Sequence, residues 1–347
     1  MLALLGLQWL VQMNADGTGY LAQRTMACRS DKDAKIASVV FAFTQVLGRS
    51  LLWLPIGLGL LVLFPPDGAL SLEALRAERE ATYVQGIKDL LPPGLLGLML
   101  TGMLAALAST VDTHLNWGAS YWTNDIYKRF ICQAWRQREP SARTLVWVAR
   151  LSNILILILA LVIMTRLTSI QKAWQTSLLL GAGMSVMLVF RWLWWRVTAW
   201  GEIATIAAST LAAWPLLVWV NDQAVRLLVM AAVATTAGVV TSLLTGPELA
   251  ERLREFYRRA QPPGFWGPVS GDVTAGVQRL RRQAAATVTA ALSLFCLLVG
   301  AGSWIAHSPP PGWLPWRGAW IALNLLLGAA LVPVWWRLGG VNDKQAD

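Results

Sequence analysis

The stretch PPGLLGLMLTGMLAALASTVDTHLNWGASYWTNDIYKRF, Pro92 to Phe130, decides the fold class. From Pro92 to Val111 it carries no charged side chain, and at about 1.5 Å per residue such a run crosses the hydrocarbon core of a bilayer. A dense polar run then begins at Asp112. A helix is the form this segment must take, because a helix satisfies its own backbone hydrogen bonds where there is no water.

The same pattern recurs outward in both directions. Of 347 residues, 56% are hydrophobic and 14% charged, with a mean hydropathy of +0.50, whereas an ordinary soluble domain is about 25% charged. Nine apolar segments can be read, at about 1 to 22, 36 to 64, 93 to 115, 144 to 165, 174 to 195, 201 to 220, 226 to 246, 286 to 306 and 316 to 336. They are uninterrupted blocks, not alternating or 3.6-period stripes. The expected class is therefore all-α, a polytopic helical membrane protein with about nine transmembrane helices.

A net charge of +10 and a pI near 10.1 would fit a nucleic-acid binder. The basic residues lie between the apolar blocks, however, and no nucleic-acid module surrounds them, so no nucleic-acid partner is expected. If the segment ending near Ala22 exits into the cytoplasm, 20 of the 29 Lys and Arg fall on inside connections and 7 outside, with Arg49 and Arg150 within spans. Cytoplasmic loops concentrate basic residues, so this asymmetry sets the orientation. The basic stretch from Glu251 to Arg282 then faces anionic lipid on the inside. RWLWWR, Arg191 to Arg196, reads as an aromatic belt with cationic anchors at a membrane boundary.

Other features narrow the class. Cys28, Cys132 and Cys296 have no paired spacing, and His114 and His307 lie far apart, so neither a disulfide framework nor a metal cluster is expected. The first residues, MLALLGLQWLVQM, lack a basic leader and a small-residue cleavage site and read as part of a helix. Between Pro65 and Pro92 the polar run LEALRAEREATYVQGIKDL predicts a short amphipathic helix on the outer surface.

Within the opening stretch, Ala106, Ser109 and Thr110 stand at i, i+3 and i+4 and share one helical face about a turn deep. Two hydroxyls beside a backbone carbonyl make part of a cage for a small hard cation. Equally, Ser and Thr in membrane helices bond the carbonyl one turn back or let helices pack closely. The residues alone leave both readings open.

The run AALASTVDTHLNWGASYWTNDIYKRF resembles the eighth core helix of the sodium/solute symporter family, where a small residue and a Ser/Thr pair precede a helix end reading close to DIYKR. GYLAQRTMACRSDKDAK, Gly19 to Lys35, resembles that family's sixth core helix and following loop, and LLGAGMSVMLVFRWLWWRVTAWGEIA, Leu179 to Ala204, its tenth. The resemblance implies a LeuT-type arrangement of two inverted five-helix repeats, of which residues 1 to 246 would be the second-repeat part of a transporter core. Residues 247 to 285 would be a basic cytoplasmic loop, and 286 to 347 C-terminal transmembrane helices. It implies Na+ as coupling ion, held by the Ala106 carbonyl and the Ser109 and Thr110 hydroxyls. It implies also that the first repeat, with the other half of the sodium cage, is a missing N-terminal half supplied by a longer chain.

Polar groups inside spans are costly and are functional candidates. Gln12, Asn14 and Asp16 occupy the region where the family's sixth helix faces solute, and Gly17 and Gly19 would let that helix unwind. Met13 and Asn14 stand where sugar-carrying members have aromatic gates, which speaks against a sugar. Gln45 and Arg49, a turn apart and ahead of Pro55, are the further candidates for a solute cavity. The leading expectation is sodium-coupled symport of a small organic solute across the cytoplasmic (inner) membrane of a bacterium, and not an enzyme. Three alternatives stand beside it: proton coupling through Asp112 and His114, a membrane-embedded lipid-modifying enzyme using that pair, and a sensory domain of the same family.

The charge asymmetry makes a topological prediction. Cysteines placed at positions 75 and 270, in a chain whose native cysteines are replaced, should respectively react and fail to react with an impermeant thiol reagent on intact cells. Labelling at 270 but not at 75 would reverse the orientation.

Overall fold

The computed structural model describes residues 20–66, 68, 71–167 and 169–340. Every regular element among them is a helix: α1 Tyr20–Met26, α2 Asp31–Phe43, α3 Arg49–Leu63, α4 Leu72–Leu90, α5 Pro93–Ser120, α6 Ala142–Met164, α7 Ile170–Leu193, α8 Ala199–Trp219, α9 Gln223–Leu244, α10 Ala250–Ala260, α11 Gly267–Ser270, α12 Val273–Ile305 and α13 Arg317–Leu338. A π-helical turn, Thr44–Gly48, joins α2 to α3, and α5 runs on into a π-helix, Tyr121–Trp135. Eight helical stretches are long and apolar enough to cross a membrane. They fall on eight of the nine segments read from the sequence, and the ninth, 1 to 22, lies almost wholly outside the described residues. The chain is a multi-pass helical membrane protein.

Local sequence sets most helix starts. Ser30, Ser71, Ser141, Thr198, Asp222 and Asp272 each turn a side-chain oxygen onto a backbone N–H of the first turn, which satisfies a donor that has no partner within the helix. Pro93 opens α5, where its missing N–H costs nothing. The thirteen residues that α12 adds ahead of the apolar block at 286 follow from the Asp272 cap, since a helix needs apolar residues only where it meets lipid. Bonds from the Thr274 hydroxyl, then from the Thr274 and Ala275 N–H groups, hold the Asp272 carboxyl below the usual range. The π-helix likewise carries the third segment beyond its expected end near 115, into the charged run Asp125 to Arg129.

The chain divides into two compact units, one of Met1–Gly59 with Trp174–Asp347 and one of Leu60–Ala173. In the first, α8 and α9 pack through small residues. A Cβ on Gly201 would lie 1.9 Å from Ser242 Oγ and 2.8 Å from the Gly238 carbonyl, and one on Gly238 would lie 2.2 Å from Thr205 Oγ1. Leu178, Leu179 and Ala182 of α7, Leu216 of α8, and Leu227 and Met230 of α9 form the buried cluster beside this seam. The pair α12 and α13 repeats the device, with Ser293 Oγ donating to the Gly328 carbonyl at 2.7 Å.

The basic segment after α9 is knit to the end of α7. Phe265 N–H donates to the Leu193 carbonyl at 2.6 Å, Trp266 Nε1 to the Trp192 carbonyl at 2.8 Å, and Gly264 N–H to the Gly276 carbonyl at 2.8 Å. Gly264 has φ +102°, and a Cβ there would lie 2.4 Å from the Leu193 carbonyl, so only glycine fits. Phe256 of α10 packs against both Trp192 and Trp266 with tilted rings, centroids at 5.9 and 5.4 Å. Glu255 pairs with Arg258 and Arg259; desolvation, which raises its pKa, is outweighed by these cations, so its carboxyl titrates below the usual value.

In the second unit, α4 forms where an amphipathic helix is expected, but its more buried stripe runs Leu75, Arg79, Thr82 and Gly86 and mixes apolar with polar and small residues. Close approach explains the departure, because a Cβ on Gly86 would meet Leu60 Cδ2 at 2.4 Å. Glu80 accepts the N–H groups of Ile170 and Gln171, at 3.2 and 3.0 Å, and so caps the start of α7. Arg79 pairs with Glu78 and donates to the Phe64 carbonyl at 2.7 Å, closing the end of α3.

The α8/α9 seam yields a stability prediction. Gly201→Ala should destabilise the protein by about 1–3 kcal/mol, because the Gly238 backbone cannot give way to a new Cβ. Gly97→Ala, whose Cβ would meet nothing within 4 Å, should be neutral or mildly stabilising. Thermal unfolding in detergent checks both, and equal melting of the two variants would mean that the seam is not tightly packed.

Candidate functional site

On α5 the three oxygens singled out in the sequence do converge. Ser109 Oγ lies 3.1 Å and Thr110 Oγ1 2.8 Å from the Ala106 carbonyl, to which both hydroxyls donate. Ala106, Ser109 and Thr110 are all exposed, and Ala119 is the buried residue of this helix. The local chemistry is the back-bonding that Ser and Thr make in helices. Each hydroxyl that donates to the carbonyl keeps its lone pairs on the open side. The result is a small oxygen-lined patch on an open helix face, able to meet one side of a hard cation. Oxygens from another element would have to close the shell.

Further back-bonds follow along α5. Thr113 Oγ1 donates to the Ser109 carbonyl at 2.8 Å, and His114 Nδ1 lies 2.8 Å from the Thr110 carbonyl. Asp112 is instead engaged by Asn116 Nδ2 at 2.9 Å. Two residues apart on a helix, Asp112 and His114 point to different sides and do not form the acid/base pair that the enzyme alternative needs.

Gln45 sits half-buried in the π-turn Thr44–Gly48, and Arg49, the first residue of α3, is exposed. Such π-turns recur at functional sites because the extra residue leaves backbone groups out of the regular ladder. Gln12, Asn14 and Asp16 lie outside the described residues. The structure thus brings Ala106, Ser109 and Thr110 together on one face, and Gln45 and Arg49 to one junction.

Two features had no sequence signal. One is the fifteen-residue π-helix after α5, in which Thr123 is 5% exposed and its hydroxyl has no partner among the described residues. Nothing in YWTNDIYKRF distinguishes i+5 from i+4 bonding. The other is the use of the boundary arginines. Arg196, expected as an interfacial anchor, donates to the Ser242 and Leu243 carbonyls at 3.0 and 3.1 Å. Its guanidinium also lies 5.9 Å from the Trp195 ring centroid, and Arg191 pairs with Glu202 at 3.4 Å.

Comparison with known proteins gives this geometry a family. The sodium/proline symporter of Haemophilus influenzae is 28% identical over 261 residues, 71% of this chain and 50% of that protein. The sodium/glucose cotransporter of Vibrio parahaemolyticus is 27% identical over 217 residues, 59% of this chain and 39% of its own length. The high-affinity proline transporter of Bacillus subtilis is 27% identical over 217 residues, 59% of this chain and 43% of its own. In each case the match covers half or less of the relative's own length, and no solved structure matches. The profile of the sodium:solute symporter family matches residues 2–209, so the α5 oxygen patch lies within the matched region and the chain belongs to that family.

Proposed function

We propose that this chain acts as part of a sodium-coupled symporter, not an enzyme, moving a small organic solute across the cytoplasmic membrane of a bacterium by alternating access. The observation that carries this reading is the convergence of the Ala106 carbonyl with the Ser109 and Thr110 hydroxyls on an open face of a membrane-spanning helix. Hard oxygens without a carboxylate suit a monovalent ion that must be released in every cycle. The remaining oxygens come from the first repeat of a longer chain, a reading supported by relatives of which the matched stretch is only 50% and 39%. Gln12, Asn14, Asp16, Gln45 and Arg49 are the residues proposed to contact the solute. The relatives' names, proline and glucose among them, mark the solute as small and organic.

Ion and solute sites in such a transporter are linked, so each stabilises the other's occupied state. In the full transporter, Ser109→Ala and Thr110→Ala should leave expression and insertion nearly unchanged, since alanine is an excellent helix former. Each should raise the sodium requirement of uptake. Apparent solute affinity should fall about 5- to 150-fold at low sodium and recover at high sodium. A packing defect would show no such recovery. The stabilisation that sodium gives over potassium in thermal unfolding should shrink in parallel. Wild-type sodium dependence in the double variant would remove the ion site from α5.

A further inference from the structure

A cavity of about 560 Å³ opens in the first unit where α2, α12 and α13 meet, lined by Lys35 and Ser38 of α2, Gln283 and Thr287 of α12, and Trp335 of α13. By the loop-charge orientation this is the cytoplasmic end of all three helices. Among the described residues Lys35 is the only ionisable one lining the cavity, and alanines of α2 and α12 with Val39 complete an apolar wall.

Two donors there lack a full set of acceptors. Trp335 is 5% exposed, yet its indole N–H finds no acceptor among the described residues. A buried donor left unpaired is unfavourable, and a bound acceptor would remove that cost. Lys35 Nζ approaches the Gly340 carbonyl at 3.4 Å, a long bond that engages one of its three protons. The end of α13 would ordinarily repel an anion. Here Arg282 covers it, donating to the Leu338 carbonyl at 2.9 Å and the Arg337 carbonyl at 3.2 Å.

A cation and an N–H without an acceptor, with no carboxylate among the described lining residues, select an oxyanion. The apolar wall and the position at the inner boundary select an oxyanion that arrives with acyl chains. We propose that this cavity binds the phosphate of an anionic phospholipid of the inner leaflet, with Lys35 supplying charge and Trp335 Nε1 a directed hydrogen bond. Basic pockets between spans on the cytoplasmic side take lipid headgroups by this chemistry. The cavity shares no residue with the α5 oxygens, and the proposal does not depend on the transport reading.

Native mass spectrometry of the full transporter in neutral detergent tests it, with phosphatidylglycerol, phosphatidylcholine and glycerol 3-phosphate as probes. Phosphatidylglycerol should be retained about fivefold over phosphatidylcholine, the factor that one basic residue near the surface contributes. Lys35→Gln should abolish that preference. Trp335→Phe, which removes the N–H and keeps an aromatic ring, should lower phosphatidylglycerol retention several-fold. Glycerol 3-phosphate at equal concentration should not displace the lipid. Circular dichroism establishes that the variants fold, and should Lys35→Gln fail to fold, Trp335→Phe decides alone. Undiminished retention in the folded variants, no preference over phosphatidylcholine, or displacement by glycerol 3-phosphate would each overturn the assignment; the last would mark a free-phosphate site.

Discussion

Backbone hydrogen bonding in a medium without water is the constraint on which this structure depends. Within each span the helix closes its own bonds, but the last carbonyls of every helix have no partner in the ladder. Arginine supplies the answer repeatedly. Arg79 closes the end of α3, Arg196 that of α9, and Arg282 that of α13. Arg226 donates to the Val220 carbonyl at the end of α8, and Arg317 to the Ser303 and Trp304 carbonyls at the end of α12. A guanidinium carries several donors in a planar fork and stays charged, so it can bind two carbonyls at once and complement the negative end of the helix dipole. Part of the basic excess that gives a net charge of +10 therefore serves to cap helix ends.

Small residues do the complementary work along the helix sides. Lipid is as apolar as leucine, so helices gain little by hiding apolar surface from it and associate through close backbone approach and local polar bonds. Gly201 with Gly238, and Gly328 with Ser293, are such approaches. By contrast α5 presents Ser109 and Thr110 outward, with their protons turned onto the Ala106 carbonyl. That conformation conceals the polarity of two hydroxyls while keeping their lone pairs available.

Residues Pro93 to Met164, Ala199 to Leu244 and Arg317 to Leu338 show how far the sequence alone reaches. Of nine segments read, it determined the eight that are described and their helical form, because a predominantly apolar run of some twenty residues has no other stable state in a bilayer. It also placed Ala106, Ser109 and Thr110 on one face, since that follows from helical periodicity. Tertiary structure decided where the hydroxyls direct their protons, which arginines cap which helix ends, that Tyr121–Trp135 winds as a π-helix, and that Lys35 and Trp335, three hundred residues apart, line one cavity. These are distant or angular relations. A one-dimensional pattern encodes the period of a helix and its solvent, but not which neighbour completes an unsatisfied donor or acceptor.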